Sequence, residues 1–166
     1  AYFLKKGGAK VVLLEGARIG CGATGKTTAK MTAQHGLTYA ELIRKLGEPA
    51  AQEYASAMAG AVAAYWSVAK AEEIACDLQK APAFLYARRP AAPLEEEAHA
   101  AALCGISAKL TDRTELPFAV KGALCFPESA VLHPLKFLGG LAKELHLYEH
   151  TRAMDVRDHA VITDHG

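Results

Sequence analysis

Lys10-Val11-Val12-Leu13-Leu14-Glu15 is a nearly continuous apolar run that ends in a carboxylate, with Gly7-Gly8 before it and Gly16 after it. Such a run suits a strand buried on both faces, as in a parallel sheet; a half-exposed strand would alternate. Ala1 to Lys6 reads as the last turns of a helix closed by the glycine pair. Helix, tight turn and buried strand make the second half of a βαβ unit, whose first strand is expected ahead of Ala1. Asp164-His165-Gly166 resembles the middle of a hairpin, so both ends read as cuts.

Gly16 to Gly36 is rich in Gly, Thr and Ala and has little periodicity, as a loop or a helix entry does. Thr38-Tyr39-Ala40-Glu41 matches a capping box and opens a short helix to about Leu46, which Gly47 breaks. Pro49 suits the first position of a long helix reaching roughly Ala75. Its larger residues, Tyr54, Met58, Val62, Tyr65 and Val68, recur every three or four positions. Ala83–Ala87 and Gly122–Phe126 read as strands, and Leu94–Cys104 as a helix with three acids in its first turn. Pro134 opens a helix over Leu135–Leu145. Short strands follow at 147–149, 153–156 and 160–163, the last two joined across Asp158-His159.

Composition limits both core and partners. Hydrophobic residues make 51% of the chain, but 34 of them are Ala, so a compact core must rest on a few Leu-rich segments. The net charge of +1 excludes a strong nonspecific pull toward nucleic acid or anionic membrane. No segment has the ~20 strongly apolar residues a membrane span needs; the longest uncharged run, Tyr54 to Ala69, is mostly Ala, Gly and Ser. Cys21, Cys76, Cys104 and Cys125 form no C-x-x-C pair, which argues against a zinc site or disulfide framework and makes a reducing cytoplasm the expected location.

Three motif matches compete. Gly20, Gly22 and Gly25 spell G-x-G-x-x-G, but four residues, including Arg18 and Ile19, separate them from Glu15, too many for a dinucleotide loop that must follow its strand at once. Gly20 to Thr27 also spells G-x-x-x-x-G-K-T, a phosphate-binding loop in which Lys26 would meet a terminal phosphate and Thr27 a Mg²⁺. It too sits far from the strand, and no later apolar strand ends in an Asp suited to the metal. His146-Leu147-Tyr148-Glu149-His150 spells H-x-x-E-H, a zinc-protease pattern that needs a helix; these flanks look extended, so the histidines read as surface residues.

Taken together, residues 10–39 carry something more specific. Val11 to Gly20, Gly22-Ala23-Thr24-Gly25 and Thr27 to Gly36 resemble the second strand and following loop of FAD-dependent oxidoreductases of the D-amino-acid-oxidase-like or glycine-oxidase-like branch. Phe126-Pro127, His133 to Leu138 and Tyr148 to Arg152 resemble the same branch. The resemblance implies an α/β fold: a partial Rossmann-like FAD-binding domain with an interleaved α+β substrate-domain portion. Residues 1–36 and 133–166 would belong to the FAD-binding domain, 37–79 to a helical segment packed on it, and 80–132 to the substrate domain.

An acid at the end of the second strand can accept both ribose hydroxyls of an adenosine, and Glu15 is placed for that. The resemblance further implies Arg18 near the adenosine, Gly22, Thr24 and Thr28 along the phosphates and ribityl chain, Lys30 and Met31 near the flavin ring, and Ala153 meeting the adenine through its main chain. Cys21 reads as a small buried residue. His35 and His133 are the polar candidates of interest and read as structural hydrogen-bonders; no catalytic acid or base is nominated. The implied activity is a fragment's share in oxidation of a small-molecule amine or amino acid by hydride transfer to flavin N5. The fragment alone is expected to be inactive. The rival readings are a phosphate-loop hydrolase and a non-enzymatic helical interaction module built on residues 49–75.

Overall fold

The structure, a computed structural model, describes residues 1–88 and 92–166. Along the chain run α1 (Tyr2–Lys6), β1 (Val12–Leu14), a 3-10 turn (Thr24–Lys26), β2 (Lys30–Met31), α2 (Thr38–Leu46), α3 (Glu48–Ala71), β3 (Gln79–Lys80), β4 (Ala83–Ala87), α4 (Ala92–Leu103), β5 (Lys109–Thr111), β6 (Gly122–Phe126), β7 (Ala130–Val131), α5 (Pro134–Ala142), β8 (His146–Tyr148), β9 (Ala153–Arg157) and β10 (Ala160–Thr163). The fold is mixed α/β. It divides into two compact units: Ala1–Ala29, Ala69–Cys76 and His133–Gly166 form the first, and Lys30–Val68 with Asp77–Leu132 form the second.

In the first unit β1 lies parallel to β8, with Val12, Leu13 and Leu14 opposite His146, Leu147 and Tyr148. The apolar run is thus a parallel strand, but not one buried on both faces. Val12 is 61% exposed, because among the described residues β1 has a strand on one side only. β9 and β10 form a hairpin across Asp158 and His159, both at positive φ, the backbone of a tight two-residue turn. The sequence assigned both elements and the turn between them.

α5 begins at Pro134 behind His133, whose Nδ1 accepts the Lys136 N–H at 3.4 Å. His133 is therefore a helix cap, as a structural reading of that histidine expects. The helix closes at Ala142, short of Leu145. At the other end of this unit, Glu72 accepts the Tyr2 hydroxyl at 2.8 Å and pairs with Lys6 at 2.7 Å, tying α1 to the end of α3. α3 stops at Ala71 rather than near Ala75, because Glu73 turns to positive φ and the Ile74 N–H reaches back to the Ala69 carbonyl at 2.8 Å.

The loop after β1 packs on α5 through two glycines. Gly20 sits at φ +77°, and a Cβ there would strike the Leu135 side chain. A Cβ on Gly25 would strike the Gly20 carbonyl, a backbone atom that cannot swing aside. Gly22, by contrast, faces open space. Two of the three glycines in the motif thus serve close packing of the loop on itself and on α5.

The second unit holds two three-stranded antiparallel sheets, β4-β6-β5 and β2-β7-β3, with α2, α4 and most of α3. β4 alternates: Ala83 is buried while Phe84 and Tyr86 face out. β6, the middle strand, buries Ala123, Leu124 and Phe126. α3 contributes Ala51 and Ala55 to the core, whereas Tyr65 of the expected apolar stripe is exposed. Small residues let this helix lie close to its neighbours, so alanine rather than the larger side chains marks its buried line. α4 closes at Gly105 with the Ile106 N–H on the Ala101 carbonyl at 2.9 Å. The two-residue strands β2, β3 and β7, and β5, were not legible as strands: they are too short to show a period.

One carboxylate organises this unit. Glu97 of α4 is fully buried. Its two oxygens accept the N–H groups of Tyr39 and Ala40, each at 2.9 Å, at the start of α2. The expected capping box at Thr38 and Glu41 does not form. Leu37 holds the cap position, the Thr38 hydroxyl donates to the His35 carbonyl, and Glu41 pairs with Lys45. The cap comes instead from another helix, whose acid was expected to serve its own first turn. Burial pushes the Glu97 carboxyl above its ordinary value, against the backbone N–H groups that pull it down.

Glu97→Gln offers one N–H of α2 an amide group that cannot accept, and should cost about 2–3 kcal/mol in chemical denaturation at neutral pH. Because the folded value is raised, the native state keeps a proton that the unfolded chain has lost. The contribution of Glu97 is therefore full in acid and is lost as pH rises through that value. The gap between wild type and Glu97→Gln should widen as pH falls; a gap that narrows would contradict the burial argument. In the loop, Gly25→Ala should cost about 2–3 kcal/mol and Gly22→Ala less than about 0.5 kcal/mol by the same measurement.

Candidate functional site

The first unit presents a feature that open sheets use for ligands, the carboxyl ends of adjacent parallel strands. Glu15 follows β1 directly. Its N–H donates to the Tyr148 carbonyl at 2.9 Å, and its own carbonyl accepts the Thr151 N–H at 2.9 Å. The Ala17 carbonyl accepts the His150 N–H at 2.7 Å, a contact allowed by the positive φ of His150. The backbone is thus stitched on both sides of Glu15, and its direction is fixed by the end of β8.

The Glu15 side chain is half-buried. Oε1 accepts the Ala17 N–H at 2.8 Å, which holds the carboxylate back over its own turn. Among the described residues no donor meets Oε2. A carboxylate held by one oxygen with the other open can receive hydroxyl donors without moving.

Beside it stands Glu149, an acid to which the sequence alone assigns no role at the cofactor site. Glu149 Oε1 accepts the Ile19 N–H at 2.8 Å, and Oε2 lies 3.9 Å from Arg18 Nε. Glu149 fixes the loop that Arg18 begins. Its signal was present in the Tyr148 to Arg152 stretch that carried the resemblance, but its partner lies far off in sequence. His146 is on a strand and His150 beyond it, both exposed, so the two do not share a helical face and the H-x-x-E-H pattern lacks its geometry.

The other expected residues are distributed as follows. Arg18, Gly22, Thr24 and Thr28 are exposed along the loop, and Thr24 opens the 3-10 turn. Gly22 N–H has no acceptor among the described residues. Ala153 is exposed at the start of β9, opposite Thr163, where the ladder is irregular. Lys30, exposed, and Met31, half-buried, form β2 and belong to the second unit. Cys21 is exposed rather than buried, because the loop turns there through the Cys21 N–H to Arg18 carbonyl bond. His35 is exposed and contributes its carbonyl to the Thr38 hydroxyl.

A phosphate-binding loop needs an α-helix beginning at Lys26-Thr27, whose N–H groups meet the phosphate. Here Thr27 is extended, with φ −75° and ψ 157°, and β2 follows. Ala29, between them, holds a positive φ of 62° unusual for a residue with a Cβ. The loop runs from strand to strand, so the G-x-x-x-x-G-K-T match lacks the element that gives that motif its chemistry.

Three comparisons bear on this geometry. Residues 1–166 match the family described as FAD dependent oxidoreductase. "Putative Rieske 2Fe-2S iron-sulfur protein YhfW" of Bacillus subtilis is 33% identical over 164 residues, which is 95% of this chain and 32% of that protein. The glycine oxidase of Bacillus cereus superposes with a TM-score of 0.68 at 16% identity, over 99% of this chain and 47% of the oxidase. The glycine oxidase of Geobacillus kaustophilus gives 0.71 at 18% identity, over 99% and 48%. The chain therefore spans about a third of the curated relative and about half of each solved oxidase, and the solved structures share its mixed α/β fold. With the family match running from the first residue to the last, the chain belongs to the FAD dependent oxidoreductase (DAO) family, and FAD is the cofactor that membership implies.

Proposed function

We propose that this chain is part of an FAD-dependent enzyme that oxidises an amine or amino acid, and that Glu15 holds the adenosine ribose. The observation that carries the reading is the open oxygen of Glu15 at the carboxyl end of β1, with the Ala17 N–H fixing the other. The chemistry supplied by bound FAD is acceptance, at N5, of a hydride from the carbon that bears the nitrogen. Glu15 takes two hydroxyl donors. The guanidinium of Arg18, set by Glu149, adds a cation beside the adenosine. Gly22 N–H and the hydroxyls of Thr24 and Thr28 serve the phosphates and ribityl chain without adding charge. Lys30 and Met31 lie toward the ring, and Ala153 offers its main chain to the adenine.

In this reading residues 1–36 and 133–166 belong to the cofactor domain, 37–79 form a helical segment and 80–132 belong to the substrate domain. The four cysteines are unpaired, which fits a reducing compartment, and among the described residues no helix is long and apolar enough to cross a membrane. No residue is assigned as catalytic acid or base, and the fragment alone is inactive.

The curated relative favours a second version of the same chemistry. Identity to it is 33%, against 16% and 18% to the two glycine oxidases, and its name includes a Rieske cluster. On this version electrons leave the flavin singly, toward an iron–sulfur centre, rather than to oxygen. Its ligands would come from outside this chain, whose cysteines are dispersed. Iron and acid-labile sulfide in the purified full-length protein would decide for it, and their absence would leave the oxidase version.

The full-length protein should show flavin absorbance. Glu15→Ala should raise the FAD dissociation constant by about tenfold to a hundredfold, and Glu15→Gln, which keeps one acceptor, by less. FAD affinity unchanged by both substitutions would remove the ribose role. Gly22→Ala is a separate check, since the site is open: weaker FAD with unchanged thermal stability would place the cofactor against that N–H.

A further inference from the structure

The backbone that meets Glu15 beyond β8 runs on into Arg152, a cation with no part in the cofactor site as described so far. Thr151, just before it, donates its N–H to the Glu15 carbonyl at 2.9 Å. Asp164 holds both main-chain groups of Arg152: its Oδ1 accepts the Arg152 N–H at 2.9 Å, and its own N–H donates to the Arg152 carbonyl at 3.1 Å. With the main chain fixed, the direction of the Arg152 Cβ is fixed as well. It points over Gly16, the residue after Glu15. A Cβ built on Gly16 would stand 3.7 Å from both Cβ and Nε of Arg152. The arginine side chain therefore lies along the bare backbone of Gly16, across the carboxyl end of β1.

Arg18 is engaged by Glu149. Among the described residues no carboxylate meets the Arg152 guanidinium, and the acid beside it is taken up by the Arg152 N–H. An exposed guanidinium is a planar, weakly hydrated cation whose face stacks on aromatic rings. We infer that Arg152 stacks on the adenine of FAD and is a specificity-determining residue for the cofactor. The inference rests on the FAD reading of Glu15 and Ala153. Glu15 takes the 2′ and 3′ hydroxyls of the ribose, and the base is joined at the neighbouring carbon, C1′. The diphosphate leaves from C5′, toward the Gly22 and Thr24 loop. A side chain fixed beside Glu15 is therefore set for the base rather than for the phosphates. Ala153, next in the chain, offers its main chain to the edge of the same ring, so two consecutive residues supply an edge contact and a face contact.

Calorimetric titration of the full-length apoprotein with FAD tests this. Arg152→Met, which keeps most of the apolar length and removes the plane, should raise the dissociation constant about fivefold to twentyfold. Arg152→Lys keeps the charge without the plane and should lose nearly as much. The ratio between wild type and Arg152→Met should hold from about 50 to about 500 mM salt, where a contact to phosphate would fade. Because the side chain is exposed, the melting temperature of the apoprotein should not move. Gly16→Ala adds only an ordinary contact to Arg152 and should change FAD affinity little. Gly16→Val should push the guanidinium off its bed, weakening FAD in the wild-type background and adding nothing to Arg152→Met. FAD affinity unchanged by Arg152→Met, or recovered in full by Arg152→Lys, overturns the inference. If Glu15→Ala weakens FAD while Arg152→Met does not, the ribose role stands and the stacking role falls; the reverse result keeps the stacking role and removes the ribose one.

Discussion

The pairing of β1 with β8 is the constraint on which the rest of the structure depends. Val12 to Leu14 lie parallel to His146 to Tyr148, so the chain must leave the first strand and return in the same direction before the pair can close. Parallel neighbours need a crossover, and here the crossover carries a whole second unit. Closing so long a loop is entropically costly, although the cost grows only slowly with length. The pair is half-exposed, so burial of the strand faces alone does not hold it. Backbone bonds continue past the strands, from Glu15 to Tyr148 and Thr151 and from Ala17 to His150. Those bonds fix the direction in which Glu15 leaves the sheet.

Both units use a glutamate to do at a distance what the local sequence leaves undone. Glu97 caps α2 from α4, and Glu149 holds Ile19 and Arg18 from the end of β8. In each case N–H groups at a turn or helix start need an acceptor, and the neighbouring residues do not supply one. The difference lies in burial. Glu97 is fully enclosed and its carboxyl is pushed toward the neutral form, whereas Glu149 stays partly open beside an exposed Arg18. The first serves the integrity of a core built largely on small residues; the second shapes a surface loop.

The loop between β1 and β2 shows why pattern matching alone misleads in a glycine-rich segment. Gly20, Gly22 and Gly25 satisfy two phosphate motifs. Yet Gly20 and Gly25 are glycines because Leu135 and the Gly20 carbonyl leave no room for a Cβ. Only Gly22 faces open space. Those two positions report packing on α5, an element more than a hundred residues later in the chain. The resemblance to flavin oxidoreductases fared better because it rested on the strand, the acid and the loop together.

Elements with a strong local signal were legible in the sequence: the apolar run of β1, the alternation of β4, the Asp158-His159 turn, the Pro134 helix start and the glycine stop after α4. Glu15 was legible as well, since a carboxylate ending an apolar strand is a local pattern. What the sequence left open depends on partners that meet only after folding. Neither Glu97 as the cap of α2 nor Glu149 as the anchor of Arg18 could be read from residue spacing, because each acceptor and its N–H groups come from distant segments. The exposure of Val12 and the alanine line of α3 belong to the same class. Local propensity and periodicity set which segments become helix or strand. Which faces those segments bury, and which carboxylate oxygen is left open, is decided by packing and by the N–H groups that the tertiary structure brings within reach.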